Sequence, residues 1–197
     1  MSSLKVFLVD DDESVRESLT FLLETMDYQV QAFDSGEAFL EQVTPEQTGC
    51  VILDSRMPGL TGQAVHQKLK AQASLLAVVY LTGHGDVPMA VDALQDGAVD
   101  FLQKPIDAKK LVSAIEKAWQ HSQQRAHNQQ SRQAYAELTP REQEILQWVV
   151  QGKRNQQIAD ELCLAVRTVE VHKAKLMKKF NAKTVAELVM HYAKLEG

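Results

Sequence analysis

Short apolar blocks recur along the first part of the chain and alternate between two periods. Residues 4–9 are apolar apart from Lys5 and predict a buried strand, and residues 29–33, 51–54, 76–82 and 101–103 repeat the signal. Between these blocks the apolar positions fall at helical spacing. Val15, Leu19, Leu22, Leu23 and Met26 share one face, and residues 35–43, 62–71 and 88–95 predict three further helices. Asp107 opens a fifth, with Leu111, Ala114, Ile115, Ala118 and Trp119 in phase. Five strands alternating with five helices predict an α/β doubly wound parallel sheet with helices on both faces.

From residue 138 onward the period is helical throughout. Thr139, Pro140 and Glu142 make a capping box before Ile145, Leu146, Trp148, Val149 and Val150, and Gly152 ends that helix. Asn155 is expected to cap a short helix over 156–162, with Ile158, Ala159 and Leu162 inward. A tight turn at 163–165 leads to a helix over 166–180, and a second capping box, Thr184 with Glu187, opens a last helix. Two short helices joined by a tight turn predict a helix-turn-helix within a small all-α domain. Residues 1–120, 121–137 and 138–197 are therefore expected to be an α/β domain, a polar Gln-rich helical linker and the second domain.

Charge divides the chain in the same way. Residues 1–120 carry 9 Lys+Arg against 18 Asp+Glu, and residues 121–197 carry 12 against 8. The basic part is the candidate for nucleic acid. No apolar run is long enough to span a membrane, the first residues do not pattern as a signal peptide, and Cys50 and Cys163 lack metal-ligand spacing. A cytoplasmic protein with reduced thiols and no membrane partner is the expectation.

Candidate chemistry collects at strand ends. In such a sheet the carboxyl ends of strands one, three, four and five gather at one rim. They bring Asp10, Asp11, Asp54, Thr82 and Lys104 together there, with Asp54 presented to solvent. Three adjacent Asp repel one another unless a cation intervenes, and carboxylates with a few waters suit octahedral Mg²⁺. Asp54 could then act as nucleophile toward a phosphoryl group, with Lys104 and Thr82 meeting its oxygens. In the second domain, Val169, His172, Leu176 and Phe180 fall on the buried side of the 166–180 helix, while Arg167, Glu170, Val171, Ala174 and Lys178 fall on the other. An exposed valine among polar residues suits the methyl-bearing floor of a major groove. Arg167, Lys173, Lys175, Lys178 and Lys179 could meet phosphates.

The acidic cluster after strand one, Asp54-x-x-Met57-Pro58-Gly59, Thr82-Gly83-His84-Gly85-Asp86-Val87-Pro88 and Phe101-x-x-Lys104-Pro105 resemble the receiver domain of bacterial response regulators over residues 4–119, closest to the FixJ branch. Leu138-Thr139-x-Arg141-Glu142, Gly152-x-x-Asn155-x-x-Ile158-Ala159 and Thr168-Val169-Glu170-Val171-His172 with Met177 resemble the LuxR/NarL/FixJ output domain over residues 138–193.

The resemblance implies a sheet of order 2-1-3-4-5 and Asp54 as phosphoacceptor. It implies Mg²⁺ held by Asp11, Asp54 and the backbone carbonyl of Arg56, with Asp10 helping through water. Thr82 and Phe101 become a switch pair, Lys104 holds the phosphoryl group, and the Lys104–Pro105 bond is cis. Glu170, Val171 and Ala174 map onto base contacts, and Thr168 with the nearby lysines onto backbone contacts. The implied partners are a cognate sensor histidine kinase, an inverted-repeat DNA site and a second copy of the chain on phosphorylation.

Three positions depart from the pattern. Phe101 replaces a frequent Tyr, and Cys163 stands where Gly is usual, at a turn needing positive φ. Ala165 replaces a capping Ser, a loss of about 1 kcal/mol that predicts a frayed helix start. Two rival readings are weaker. A Mg²⁺-dependent phosphatase of the haloacid-dehalogenase type would carry a second Asp two residues after the nucleophile, where Arg56 stands. A phosphorylation-independent regulator would not need the intact set Asp10, Asp11, Asp54 and Lys104.

Overall fold

The computed structural model describes residues 4–83 and 87–195; His84, Gly85 and Asp86 of the motif after Thr82 lie outside the described residues. Two compact units divide at Ala126/His127.

The first unit alternates β1 (Lys5–Val9), α1 (Glu13–Glu24), β2 (Gln29–Phe33), α2 (Gly36–Gln42), β3 (Cys50–Asp54), α3 (Gly62–Ala71), β4 (Ala77–Thr82), α4 (Val87–Gln95), β5 (Asp100–Gln103) and the part of α5 (Ala108–Ala136) up to Ala126. The sheet is parallel throughout and ordered β2-β1-β3-β4-β5. Alternate strand residues feed two separate cores. Val6, Leu8, Ile52, Val79 and Leu81 meet Leu19 and Leu23 of α1 and Leu111, Ile115 and Ala118 of α5. On the opposite face Phe7, Val9, Val51, Leu53, Val78 and Tyr80 meet Phe39, Val65, Leu69 and Ala93. Because helices cover both faces, β3 and β4 are buried at every position, which explains their unbroken apolar runs. The register pairs Val9 with Leu53 and Asp54 with Leu81, so the polar residues that end the strands come to one rim.

The segment expected as a polar linker is helical through Ala136, but its small polar residues are used internally. In the first unit, buried Ser122 accepts from Gly49 N–H at 2.9 Å and Arg125 donates to the Leu76 carbonyl at 3.0 Å. In the second, Ser131 and Ala134 are buried, and Ser131 Oγ lies 2.8 Å from His191 Nδ1.

The second unit adds α6 (Pro140–Val150), α7 (Asn155–Glu161), α8 (Val166–Lys179) and α9 (Val185–Ala193) around Leu138, Ile145, Leu146, Val149, Ile158, Val169, Leu176, Phe180 and Leu188. The Thr139/Glu142 box forms in both directions, at 3.3 and 3.0 Å. The second box is only half made. Thr184 accepts from Glu187 N–H at 3.2 Å, while the Glu187 carboxylate turns to Lys183 N–H at 2.7 Å. Asn155 is not the cap of α7. Arg154 holds that position, its N–H bound by the Gln157 side chain at 2.9 Å, and Asn155 is the first helical residue.

Cys163 keeps the left-handed turn at φ 51°, at a cost of roughly 1 kcal/mol relative to glycine. Ala165 supplies no side-chain cap to α8, and Thr168 and Val169 N–H reach the Ala165 carbonyl at 2.9 and 3.2 Å. Leu164 and Val166, half-buried against the core, hold that turn by packing.

Candidate acidic pocket and nucleic-acid interface

The three adjacent aspartates after β1 take three different places. Asp12 is the N-cap of α1, accepting from Ser14 N–H at 2.9 Å and Val15 N–H at 3.4 Å, so it serves the helix. Asp11 is exposed. Asp10 is fully buried, and all four of its polar atoms are engaged. Its N–H donates to the Phe33 carbonyl at 3.2 Å, and its carbonyl accepts from Arg16 Nη1 at 2.8 Å. Its carboxylate accepts from Asp12 N–H at 3.0 Å and from Lys104 Nζ at 2.7 Å. Nothing in the sequence pattern singles out Arg16, whose partner is a main-chain atom.

Asp54, the last residue of β3, is 7% exposed rather than presented to solvent. The loop after it closes back over the strand end: Ser55 N–H donates to the Leu81 carbonyl and Gly62 N–H to the Ser55 carbonyl. Gly62 makes this possible, because a Cβ there would run into the Asp54 carbonyl oxygen and lie 3.0 Å from Ser55 Cα. One Asp54 carboxylate oxygen accepts from Arg56 N–H at 2.9 Å and the other from Lys104 Nζ at 2.7 Å. Lys104 thus bridges Asp10 and Asp54.

Its own placement comes from β5: its N–H donates to the Thr82 carbonyl at 2.7 Å, and the following bond to Pro105 is cis. Thr82 ends β4 and is buried, and Phe101 is half-buried on the core face shared with Ala93. Carboxylate oxygens of Asp10, Asp11 and Asp54 lie within 4.8 Å of one another.

The electrostatics follow from burial and pairing. Burial pushes the Asp10 carboxyl above its usual range, outweighing the pull of Lys104. Burial alone would depress the Lys104 ammonium, but its bonds to Asp10 and Asp54 prevail and hold it above its ordinary value. One ammonium between two carboxylates, beside a third, leaves a net negative pocket of hard oxygen donors. That donor set fits a small divalent cation.

Along α8 the predicted division of faces is present. Val169, Leu176 and Phe180 are buried, and His172 is half-buried with Nδ1 enclosed. Arg167, Glu170, Val171, Ala174, Lys175 and Lys178 are exposed, Val171 at 46%. Thr168 and Lys173 are half-buried at the flank. Lys179, expected among the phosphate contacts, is occupied elsewhere. Its ammonium bonds the Glu142 carboxylate at 2.7 Å and the Glu137 carbonyl at 2.9 Å, pinning the end of α8 to the start of α6. The Lys179 and Thr139 bonds hold buried Glu142 at a pKa of about 2.

The profile described as the response regulator receiver domain matches residues 6–116, and that of the bacterial regulatory proteins of the luxR family matches residues 136–192. The tetrathionate response regulatory protein TtrR of Salmonella typhimurium is 46% identical over 190 residues, 96% of this chain and 92% of that one. The transcriptional regulatory protein FixJ of Bradyrhizobium diazoefficiens is 39% identical over 188 residues, 93% of this chain and 92% of that one. The chain belongs to the FixJ/NarL family of two-component response regulators.

Among solved structures, the response regulator StyR matches with a TM-score of 0.71 and 42% identity, covering 98% of this chain and 100% of that one. Full-length FixJ from B. japonicum matches at 0.60 and 36%, covering 100% and 98%. A receiver joined to a LuxR-type output domain makes the protein a phosphorylation-dependent transcriptional regulator of a two-component system. The family consists of DNA-binding regulators rather than classical enzymes. Its two domain types imply a sensor kinase and DNA as partners. Among the described residues no helix is long and apolar enough to cross a membrane.

Proposed function

We propose that Asp54 accepts the phosphoryl group. One observation carries this reading: three carboxylates converge within 4.8 Å at the carboxyl rim of a parallel sheet, with the Lys104 ammonium 2.7 Å from two of them. A carboxylate oxygen of Asp54 attacks phosphorus, the bond from phosphorus to the donor nitrogen or oxygen breaks, and an acyl phosphate forms. Lys104 then releases the Asp54 oxygen and neutralises the phosphoryl oxygens, and the Thr82 hydroxyl hydrogen-bonds to one of them. Asp11, Asp54 and the Arg56 carbonyl would hold Mg²⁺, with Asp10 acting through water; both Asp10 oxygens already have partners, while Asp11 is exposed. Bound there, the ion would neutralise negative charge on the transferring phosphoryl group.

Phosphorylation adds about −1.5 to −2 charge to this rim. Thr82 is drawn toward it and Phe101 turns inward, remodelling the face made by α4 and β5. Val91 and Leu94, each 48% exposed on α4, supply apolar surface for pairing with a second copy. Switching from 1% to 99% active needs about 5.5 kcal/mol of differential stabilisation, to which dimerisation can contribute. Two output domains would then address an inverted repeat. Glu170, Val171 and Ala174 would face the bases, with Arg167, Thr168, Lys173, Lys175 and Lys178 toward the backbone. A cognate sensor histidine kinase would supply the phosphoryl group, in a cytoplasmic setting.

Asp54→Asn is the test. The variant should incorporate no phosphoryl group from acetyl phosphate and show no phosphodonor-dependent gain in dimer or DNA affinity. An equal response in variant and wild type, read by sedimentation and fluorescence anisotropy, overturns the assignment.

A further inference from the structure

The lysines of α8 are not equivalent. Lys175 and Lys178 stand in solvent, while Lys179 is consumed by the Glu142 carboxylate. Lys173 is held differently from all of these. It is half-buried, and its Nζ donates to Asn155 Oδ1 at 2.9 Å. Asn155 is half-buried at the first position of α7, and its side chain is absent from the cap of its own helix. A neutral amide oxygen takes up one of the three ammonium N–H groups and leaves the full positive charge and two donors available. It also removes rotamer freedom that a free lysine, with about 2 kcal/mol of side-chain entropy, would lose on meeting a phosphate.

We infer that Asn155 is a positioning residue for DNA binding, preorganising Lys173 for a backbone phosphate through the link between the two helices of the helix-turn-helix. This rests on the reading of α8 as the DNA-facing helix. A neutral holder is required: a carboxylate at 155 would keep the geometry but cancel the charge, as Glu142 does for Lys179. Since phosphates carry no sequence information, the contribution is the same on any duplex.

The test uses the full chain and a mixed-sequence DNA duplex across a salt series, with thermal melting of every variant. Asn155→Ala should weaken binding about fivefold with the salt slope unchanged, and should have no further effect in a Lys173→Ala background. Lys173→Ala should weaken binding and reduce the slope by about one. Asn155→Asp should melt no lower than wild type, because the link becomes an ion pair. It should nonetheless bind about tenfold more weakly, with the slope reduced by about one.

If Asn155→Asp binds as tightly as wild type while Lys173→Ala is weakened, Asn155 is only a tie between helices and the inference is overturned alone. It is overturned equally if Asn155→Ala weakens binding to the same extent in the Lys173→Ala background. Undiminished binding by Lys173→Ala overturns both the inference and the reading of Lys173 as a contact.

Discussion

In the acidic pocket, charged side chains are drawn inward and spend their hydrogen bonds on one another; along α8 most of them stand in solvent. Asp10 and Asp54 are buried and both lean on Lys104, whereas Arg167, Glu170, Lys175 and Lys178 are exposed. The difference matches the proposed roles. A pocket that is to receive a dianion into a site already negative needs its one ammonium held ready to change partner. A helix that is to present charge and shape to a large polyanion can leave its face uncommitted. Substitution in the pocket should therefore disturb stability and function together, while substitution on the helix face should separate them.

Lys104→Met tests the first half of that contrast most severely. Removing the shared ammonium leaves two buried carboxylates without their partner. The receiver should lose about 3 kcal/mol at neutral pH by urea denaturation, and added Mg²⁺ should return part of it. Unchanged stability would mean that the pocket's charges do not depend on one another.

Glu142→Gln probes a place where the output unit treats charge as the receiver does. Hydrogen bonds from Lys179 and Thr139 hold Glu142 at about 2 rather than its ordinary 4.5. A depressed carboxyl stabilises fully above its unfolded pKa, and the stabilisation is lost as pH falls through 4.5 toward 2. The output unit should therefore lose on the order of 2 kcal/mol across that window, and Glu142→Gln should flatten the acid limb. An equally steep limb in the variant would locate the acid sensitivity elsewhere.

How much of this was legible in the sequence depended on how far apart the partners lie. The parallel sheet and its rim were readable because alternating periods fix strands and helices, and a parallel sheet forces its strand ends together; the strand order came only from the resemblance to receivers. The three-aspartate run was readable as a cluster and, through the resemblance, as separate metal roles for Asp10 and Asp11; the full burial of Asp10 beside an exposed Asp11 was not. Asp54 read as exposed because a strand end usually is, and the closure of the loop over it depends on the missing Cβ of Gly62. Pairs distant along the chain left no local signal: Glu142 with Lys179, Asn155 with Lys173, and Ser122 with Gly49. The last of these lay in a stretch whose polar composition concealed buried hydroxyls.

Val171 tests the other half of the contrast, and its effect on folding should be the smallest. It is 46% exposed between Glu170 and a helix face of charged residues, where a valine adds nothing to the core. Val171→Ala should therefore change the melting free energy by no more than about 0.5 kcal/mol. Its methyl groups have value only against another apolar surface, and the thymine methyl is the apolar feature of the major-groove floor. The variant should lose about fivefold in the ratio of affinities for selected over mixed-sequence duplex, with the salt slope unchanged, because no phosphate contact is removed. An unaltered ratio would show that this face does not read bases. The exposed valine would then be surface, and the separation of stability from function along α8 would rest on the charged residues alone.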